Sequence, residues 1–143
     1  RYAINGGAAL AIACDLLIVG DSAYLQVGEV QIGMAAPYNL AWLSLRHSEA
    51  IMANLVLIGD RQTGPQLVES GIAQQCVQDD QVLTVARTLC ERMAQFPDRG
   101  LAQIKKGMRA RLSQDADAWF DQFTHIQASV PAPKPKSMTD IPR

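Results

Sequence analysis

The chain has 143 residues, 48% of them hydrophobic and 19% charged, with a formal net charge of −1. This is a globular composition with enough apolar residues for a single core. The near-neutral balance offers nothing to steer the chain toward nucleic acid or an anionic membrane. Cys14, Cys76 and Cys90 form no C-x-x-C pair and fall inside apolar runs. An odd number placed in this way predicts buried, reduced thiols in a cytoplasmic setting and no disulfide framework. The longest strongly apolar run, Ala8 to Gly20, is interrupted by Asp15 and is too short to span a bilayer. No secretory leader is expected.

In chain order, Ala3 to Asp15 (AINGGAALAIACD) reads as a strand end, a glycine turn and a short buried helix. Leu16 to Gly20 is an apolar run of strand length, which predicts a buried, parallel strand. Ala23 to Met34, broken by Gly28 and Gly33, predicts a short strand followed by a loop. From Pro37 the apolar spacing is helical through Val56, with a junction near Arg46 and His47, and Gly59 lies just beyond as a terminator. Thr63 to Gly71 predicts a short helix capped by Thr63 with Pro65 in its first turn. Ile72 to Val77 is a short strand, and Asp79 or Asp80 is placed to cap a long amphipathic helix that Pro97 stops. Two more helices are expected, at about 101–112 with a basic face (Lys105, Lys106, Arg109, Arg111) and at about 116–128 with Trp119, Phe120 and Phe123. The proline-rich stretch 130–143 cannot build a packed element. Strand-rich first and helical afterwards, the order reads as the last turns of a layered α/β core whose earlier turns are absent.

Gly6 and Gly7 sit at a strand-to-helix turn, where backbone N–H groups can face an anion or a developing oxyanion. The same glycines could serve only close helix–strand packing. Glu29 stands in an apolar stretch, where a carboxylate can act as a proton shuttle; otherwise it is an exposed strand-end residue. His47 has no carboxylate or thiol at ligand spacing; both it and His125 are read as surface residues, and no metal site is predicted. The basic face at Lys105–Arg111 is read as solvated, and the cysteines as core.

The segment YAINGGAALAIACDLLIVGDSAYLQVGEVQIGM, at positions 2–34, resembles the enoyl-CoA hydratase/isomerase family, the crotonases. The resemblance rests on the glycine turn running into Ala13-Cys14-Asp15, the apolar strand that follows, and Gly28-Glu29 with Gly33 four residues later. Positions 55–77 (LVLIGDRQTGPQLVESGIAQQCV) resemble that family's later helix-turn-strand stretch, and the likeness extends to about residue 112. It implies an α/β fold of repeated β-β-α spiral turns followed by C-terminal helices. Residues 1–78 would then be the last part of the spiral core, 79–130 a helical oligomerisation region and 131–143 a disordered tail. It also implies an acyl-CoA substrate, coenzyme A being part of the substrate so that no separate cofactor is needed, and homotrimers or hexamers as the assembly, with neither nucleic acid nor membrane as partner.

The resemblance further implies that Gly6, with Gly7 beside it, is one donor of the hole that holds the thioester oxygen as it becomes an enolate. The other donor would lie upstream, which makes the chain the C-terminal half of a longer protein. Hydratases of the family carry a glutamate three residues after the key glycine, and here that position is Ala9. Glu29 matches their second glutamate. One carboxylate suffices for a double-bond shift, which needs a base and an oxyanion hole but no bound water. After Gly33, Ala35-Ala36-Pro37-Tyr38-Asn39 replaces the family's Pro-Gly-x-Gly-Gly run, so Tyr38 and Trp42 either shape the acyl pocket or belong to the helix core. Double-bond isomerisation with Glu29 as acid/base is the expected activity. The alternatives are a hydratase that recruits a carboxylate from the missing half, and an inactive CoA-binding or oligomerisation fragment.

Overall fold

The computed structural model of the chain describes residues 2–110, 112 and 115–129. Arg111 of the expected basic face and the stretch 130–143 lie outside them.

Strand β1 (Tyr2–Ile4) leads through Asn5 into helix α1 (Gly6–Ala13). Two short strands follow, β2 (Ile18–Gly20) and β3 (Tyr24–Gln26), and then a 3-10 turn at Glu29–Ile32. Next come α2 (Pro37–Arg46), α3 (Glu49–Val56), β4 (Gln62–Thr63), α4 (Gly64–Glu69) and β5 (Gln75–Val77). The rest is helical: α5 (Val82–Ala94), α6 (Asp98–Met108) and α7 (Ala116–Ser129).

The strands form two small sheets. One has the order β1-β3-β4, with β1 parallel and β4 antiparallel to β3; the other pairs β2 with β5 in parallel. Parallel neighbours need a crossover between them, and α1 with β2 supplies the one from β1 to β3. Register places Tyr2 opposite Tyr24, and their rings stack 5.8 Å apart.

The core is shared between the sheets and the first four helices. Ala8 and Ile12 of α1, Val19, Leu25, Val27, Leu43, Leu55 and Leu67 make one buried cluster. Each fully buried leucine there contributes about 2 kcal/mol from removing its side chain from water. Close backbone approach is bought with glycine at one place in particular: a Cβ on Gly64 would lie 2.6 Å from the Gly20 carbonyl oxygen and 2.7 Å from Cys76 Sγ.

Several expectations are corrected. The strand expected at Leu16–Gly20 begins only at Ile18, because Leu16 is exposed. By contrast, the junction expected near Arg46 and His47 is present: α2 ends at Arg46, and Ser48 caps α3 by accepting from the Ile51 N–H at 3.4 Å. Neither Asp79 nor Asp80 caps α5: a separate 3-10 turn at Asp79–Gln81 precedes it. Asp79 instead accepts from the backbone N–H of Ser22 at 3.2 Å and from its hydroxyl, closing the β2–β3 turn. Cys14 and Cys90 are exposed rather than core, and Cys76 is half-buried. The two exposed thiols line one apolar cavity of about 600 Å³ together with Leu16, Leu89, Met93 and Ile104. No helix among the described residues is long and apolar enough to cross a membrane.

Candidate active site

The glycine turn owes its shape to Asn5. Its φ of 51° and ψ of −113° are not helical, and asparagine tolerates positive φ better than most residues. Asn5 stays in place because its N–H donates to the Gln26 carbonyl at 2.8 Å and its Oδ1 accepts from the Gly28 N–H at 2.9 Å. Helix α1 then starts at Gly6 with no side chain capping it. The first N–H groups of any helix lack intrahelical acceptors, and here Gly6 and Gly7 are exposed. A Cβ on either would meet no heavy atom within 4 Å. Close packing as the reason for the two glycines therefore finds no partner among the described residues.

Glu29 opens the 3-10 turn that follows β3, and Gly33, at φ 72°, ends it. The turn is anchored at its far side, where the Gly59 carbonyl accepts from Gln26 Nε2 and from Gln31 Nε2, each at 2.9 Å. Glu29 Oε1 accepts from Asn39 Nδ2 at 3.0 Å. The same nitrogen donates to the Asn5 carbonyl oxygen at 3.1 Å. Asn39 is 1% exposed. Glu29 Oε2 and Asn39 Oδ1 are buried and accept no hydrogen bond from the described residues. Buried acceptors left open in this way suit a ligand that brings hydrogen to them. Ala9 is buried and has no polar side-chain atom to add.

The structure thus brings Glu29 next to the peptide that leads into Gly6, through an asparagine to which the sequence reading gave no role. The available signal was positional. Asn39 lies four residues before Leu43 on the buried side of α2, and a polar side chain at an apolar position needs a partner. Asn5 could have been noticed as the residue just before a glycine pair.

Tyr38 and Trp42 sit on the side of α2 that meets α7. Tyr38 is exposed, with its ring 6.4 Å from that of Phe120. Trp42 is half-buried and packs edge-on to Phe120 at 5.1 Å, with the Arg109 guanidinium 5.6 Å from its ring centre. Trp119 Nε1 donates to the Ala41 carbonyl at 3.1 Å, fixing α7 on α2. A cavity of about 530 Å³ lies elsewhere, lined by Tyr2, Val19, Leu25, Leu67 and Asp79 and not by Glu29.

The basic residues of α6 are not simply solvated. Lys105 Nζ pairs with Asp15 Oδ2 at 2.5 Å, while Arg109 and Arg46 reach Asp15 Oδ1 at 3.3 Å and 3.2 Å. The Lys105 ammonium beside Asp15 holds its carboxyl below the usual carboxylate range, against a smaller upward push from burial. His47, read as a surface residue, is half-buried, and that burial, with Arg46 nearby, lowers its proton affinity. His125 is exposed. Among the described residues no group of three or more His, Cys, Asp or Glu could hold a metal.

Solved structures share this architecture. An enoyl-CoA hydratase/isomerase from Pseudoalteromonas atlantica superposes with a TM-score of 0.78 over 89% of this chain and 52% of its own, at 20% identity. The fold is that of the crotonases. The family model described as enoyl-CoA hydratase/isomerase matches residues 2–139, and the chain belongs to that family. Among curated relatives, carnitinyl-CoA dehydratase of Proteus mirabilis is 29% identical over 110 residues, 76% of this chain and 42% of its own length. The 1,2-epoxyphenylacetyl-CoA isomerase of Escherichia coli is 28% identical over 125 residues, 83% of this chain and 48% of its own. The chain spans less than half the length of both.

Proposed function

We propose that the protein acts on acyl-CoA thioesters through an enolate, and that it shifts a carbon–carbon double bond with Glu29 as the single acid/base. The observation that carries this reading is the pair of Glu29 oxygens: Oε1 is held by Asn39, and Oε2 is buried with no partner. Ala9 offers no second carboxylate.

In this reading Glu29 Oε2 takes a proton from the carbon between the thioester carbonyl and the double bond. The electron pair moves onto the thioester oxygen, where the Gly6 N–H at the start of α1, with Gly7 beside it, stabilises the negative charge together with a second donor supplied from upstream of these residues. Glu29 then returns the proton at the far end of the extended enolate. Atoms balance, and no water or separate cofactor takes part. Tyr38 and Trp42 form the wall along which the acyl chain lies. Assembly into trimers or hexamers and residence in the cytoplasm belong to the same proposal.

One observation favours a second reading. Asn39 Oδ1 is a second open acceptor beside Glu29, so a water shared between the two side chains would allow hydration without a glutamate at position 9.

The test is an assay of the intact protein with 3-enoyl-CoA and with crotonyl-CoA, before and after Glu29→Gln. The expected outcome is conversion of the 3-enoyl thioester, reduced about 10²- to 10⁴-fold by the substitution. Fast hydration of crotonyl-CoA that survives Glu29→Gln sinks the reading.

A further inference from the structure

We propose that Asn39 is the positioning residue of the site: it fixes the base and the glycine turn relative to one another and leaves Glu29 Oε2 as the oxygen that carries the proton. This rests on the enolate chemistry proposed above and names the residue that makes the two halves of the site act together.

A side-chain amide has two N–H bonds. Here one is spent on the Asn5 carbonyl and the other on Glu29 Oε1, at 3.1 Å and 3.0 Å. The Asn5 carbonyl oxygen can only accept, which settles that the nitrogen end of the amide faces it. Asn5 is the residue immediately before Gly6. One nitrogen therefore spans the gap between the base and the peptide that opens the oxyanion turn. Helix α2 holds that nitrogen still, because Asn39 is 1% exposed and its neighbours Ala41 and Leu43 are fully buried.

The bond also makes the two carboxylate oxygens unequal. Protonating Oε1 would sacrifice a charge-assisted hydrogen bond, whereas Oε2 has no donor among the described residues to lose. The proton is therefore directed to Oε2. Holding a base and its oxyanion donors in one fixed geometry is worth more to the rate than to binding, since the reacting atoms must meet within a few tenths of an ångström.

The experiment uses the intact protein and a saturated acyl-CoA in deuterated water. Exchange of the hydrogen next to the thioester carbonyl reports the base and the oxyanion hole without requiring isomerisation or hydration. Asn39→Asp keeps the shape but replaces the donor, and Asn39→Ala removes the side chain. The fold of each is checked by circular dichroism, so that Asn39→Asp alone suffices if Asn39→Ala does not fold. The expected result is exchange slowed about 10- to 100-fold, the loss of one hydrogen bond to a charged group, with KM changed less than about 3-fold. In Asn39→Asp two carboxyl groups at hydrogen-bond distance share a proton, so the acidic limb of the pH–rate profile moves to higher pH. An Asn39→Asp protein with the unaltered rate and profile overturns the positioning role. A wild-type protein that exchanges but leaves 3-enoyl-CoA unconverted overturns only the isomerase reading. Absence of exchange in the wild-type protein overturns both.

Discussion

Asn5 and Gly28 are joined by a 2.9 Å hydrogen bond from the Gly28 N–H to Asn5 Oδ1, across 23 residues of sequence. The bond ties the turn that carries Gly6 to the turn that carries Glu29. It comes from a residue at a positive φ, so Asn5 holds a strained backbone and a tertiary contact at once.

Asn5→Ala removes the contact and puts an unfavourable φ on a residue that tolerates it poorly. The expected loss is about 1–3 kcal/mol of stability, the sum of one hydrogen bond and the backbone cost. Asn5→Gly recovers the backbone part alone and falls between. Urea denaturation of the intact protein measures both, and an Asn5→Ala protein as stable as wild type contradicts the assignment.

Gly64 and Gly107 should respond to alanine with opposite signs. At Gly64 the added carbon meets the Gly20 carbonyl oxygen at 2.6 Å and Cys76 Sγ at 2.7 Å, and overpacking of this kind costs about 1–3 kcal/mol. At Gly107, inside α6, nothing lies within 4 Å, so Gly107→Ala gains up to about 1 kcal/mol of helix propensity. Thermal melts of the two variants decide it: equal shifts in the same direction would show that the close approach at Gly64 is absent.

Asp15 makes stability depend on acid. Its carboxyl is held below the ordinary value of 3.8, with Lys105 the leading cause. A group depressed in the folded state contributes stability above its unfolded value and loses it as pH falls through the folded one. The Asp15 contribution is therefore complete above about pH 4 and disappears below it. It is small, because Lys105 is largely in solvent and exposed pairs are worth at most about 1 kcal/mol. Melting curves from pH 7 to pH 2 should show a shallower acid decline for Asp15→Asn than for wild type, and added salt should narrow the difference. Superimposable acid limbs would remove Asp15 from the account.

The elements were legible in the sequence wherever one local signal sufficed. Leu16–Gly20 announced a parallel strand through unbroken apolarity, and the structure pairs Ile18–Gly20 with β5 in parallel. Thr63 announced a helix start, realised by its N–H donating to Gln66 Oε1 at 2.8 Å. Gly6, Gly7 and Glu29 were singled out because glycines before a helix and a carboxylate among apolar residues are visible one residue at a time. Asn39 was not, because its importance lies in what it touches, Asn5 and Glu29, 34 and 10 residues away. Asp79 was misread for the same reason. As a local cap it had a plausible acceptor role, but a tertiary donor, Ser22, 57 residues earlier, engages it. Exposure of Cys14 and Cys90 was equally hidden, since an apolar run does not say which of its residues faces outward.

Gly59 has a consequence for how the protein can vary. Its φ of +73° and the crowding a Cβ would meet, Val30 Cγ1 at 3.0 Å and the Val27 carbonyl at 3.2 Å, reserve the position for glycine. Its carbonyl is the peg on which Gln26 and Gln31, on either side of Glu29, both hang. The connection between α3 and β4 is thus no ordinary surface loop open to insertion or deletion. A change of length between Leu57 and Arg61 would carry the glutamate with it, so relatives that lengthen this loop should be those whose chemistry no longer depends on where that carboxylate stands.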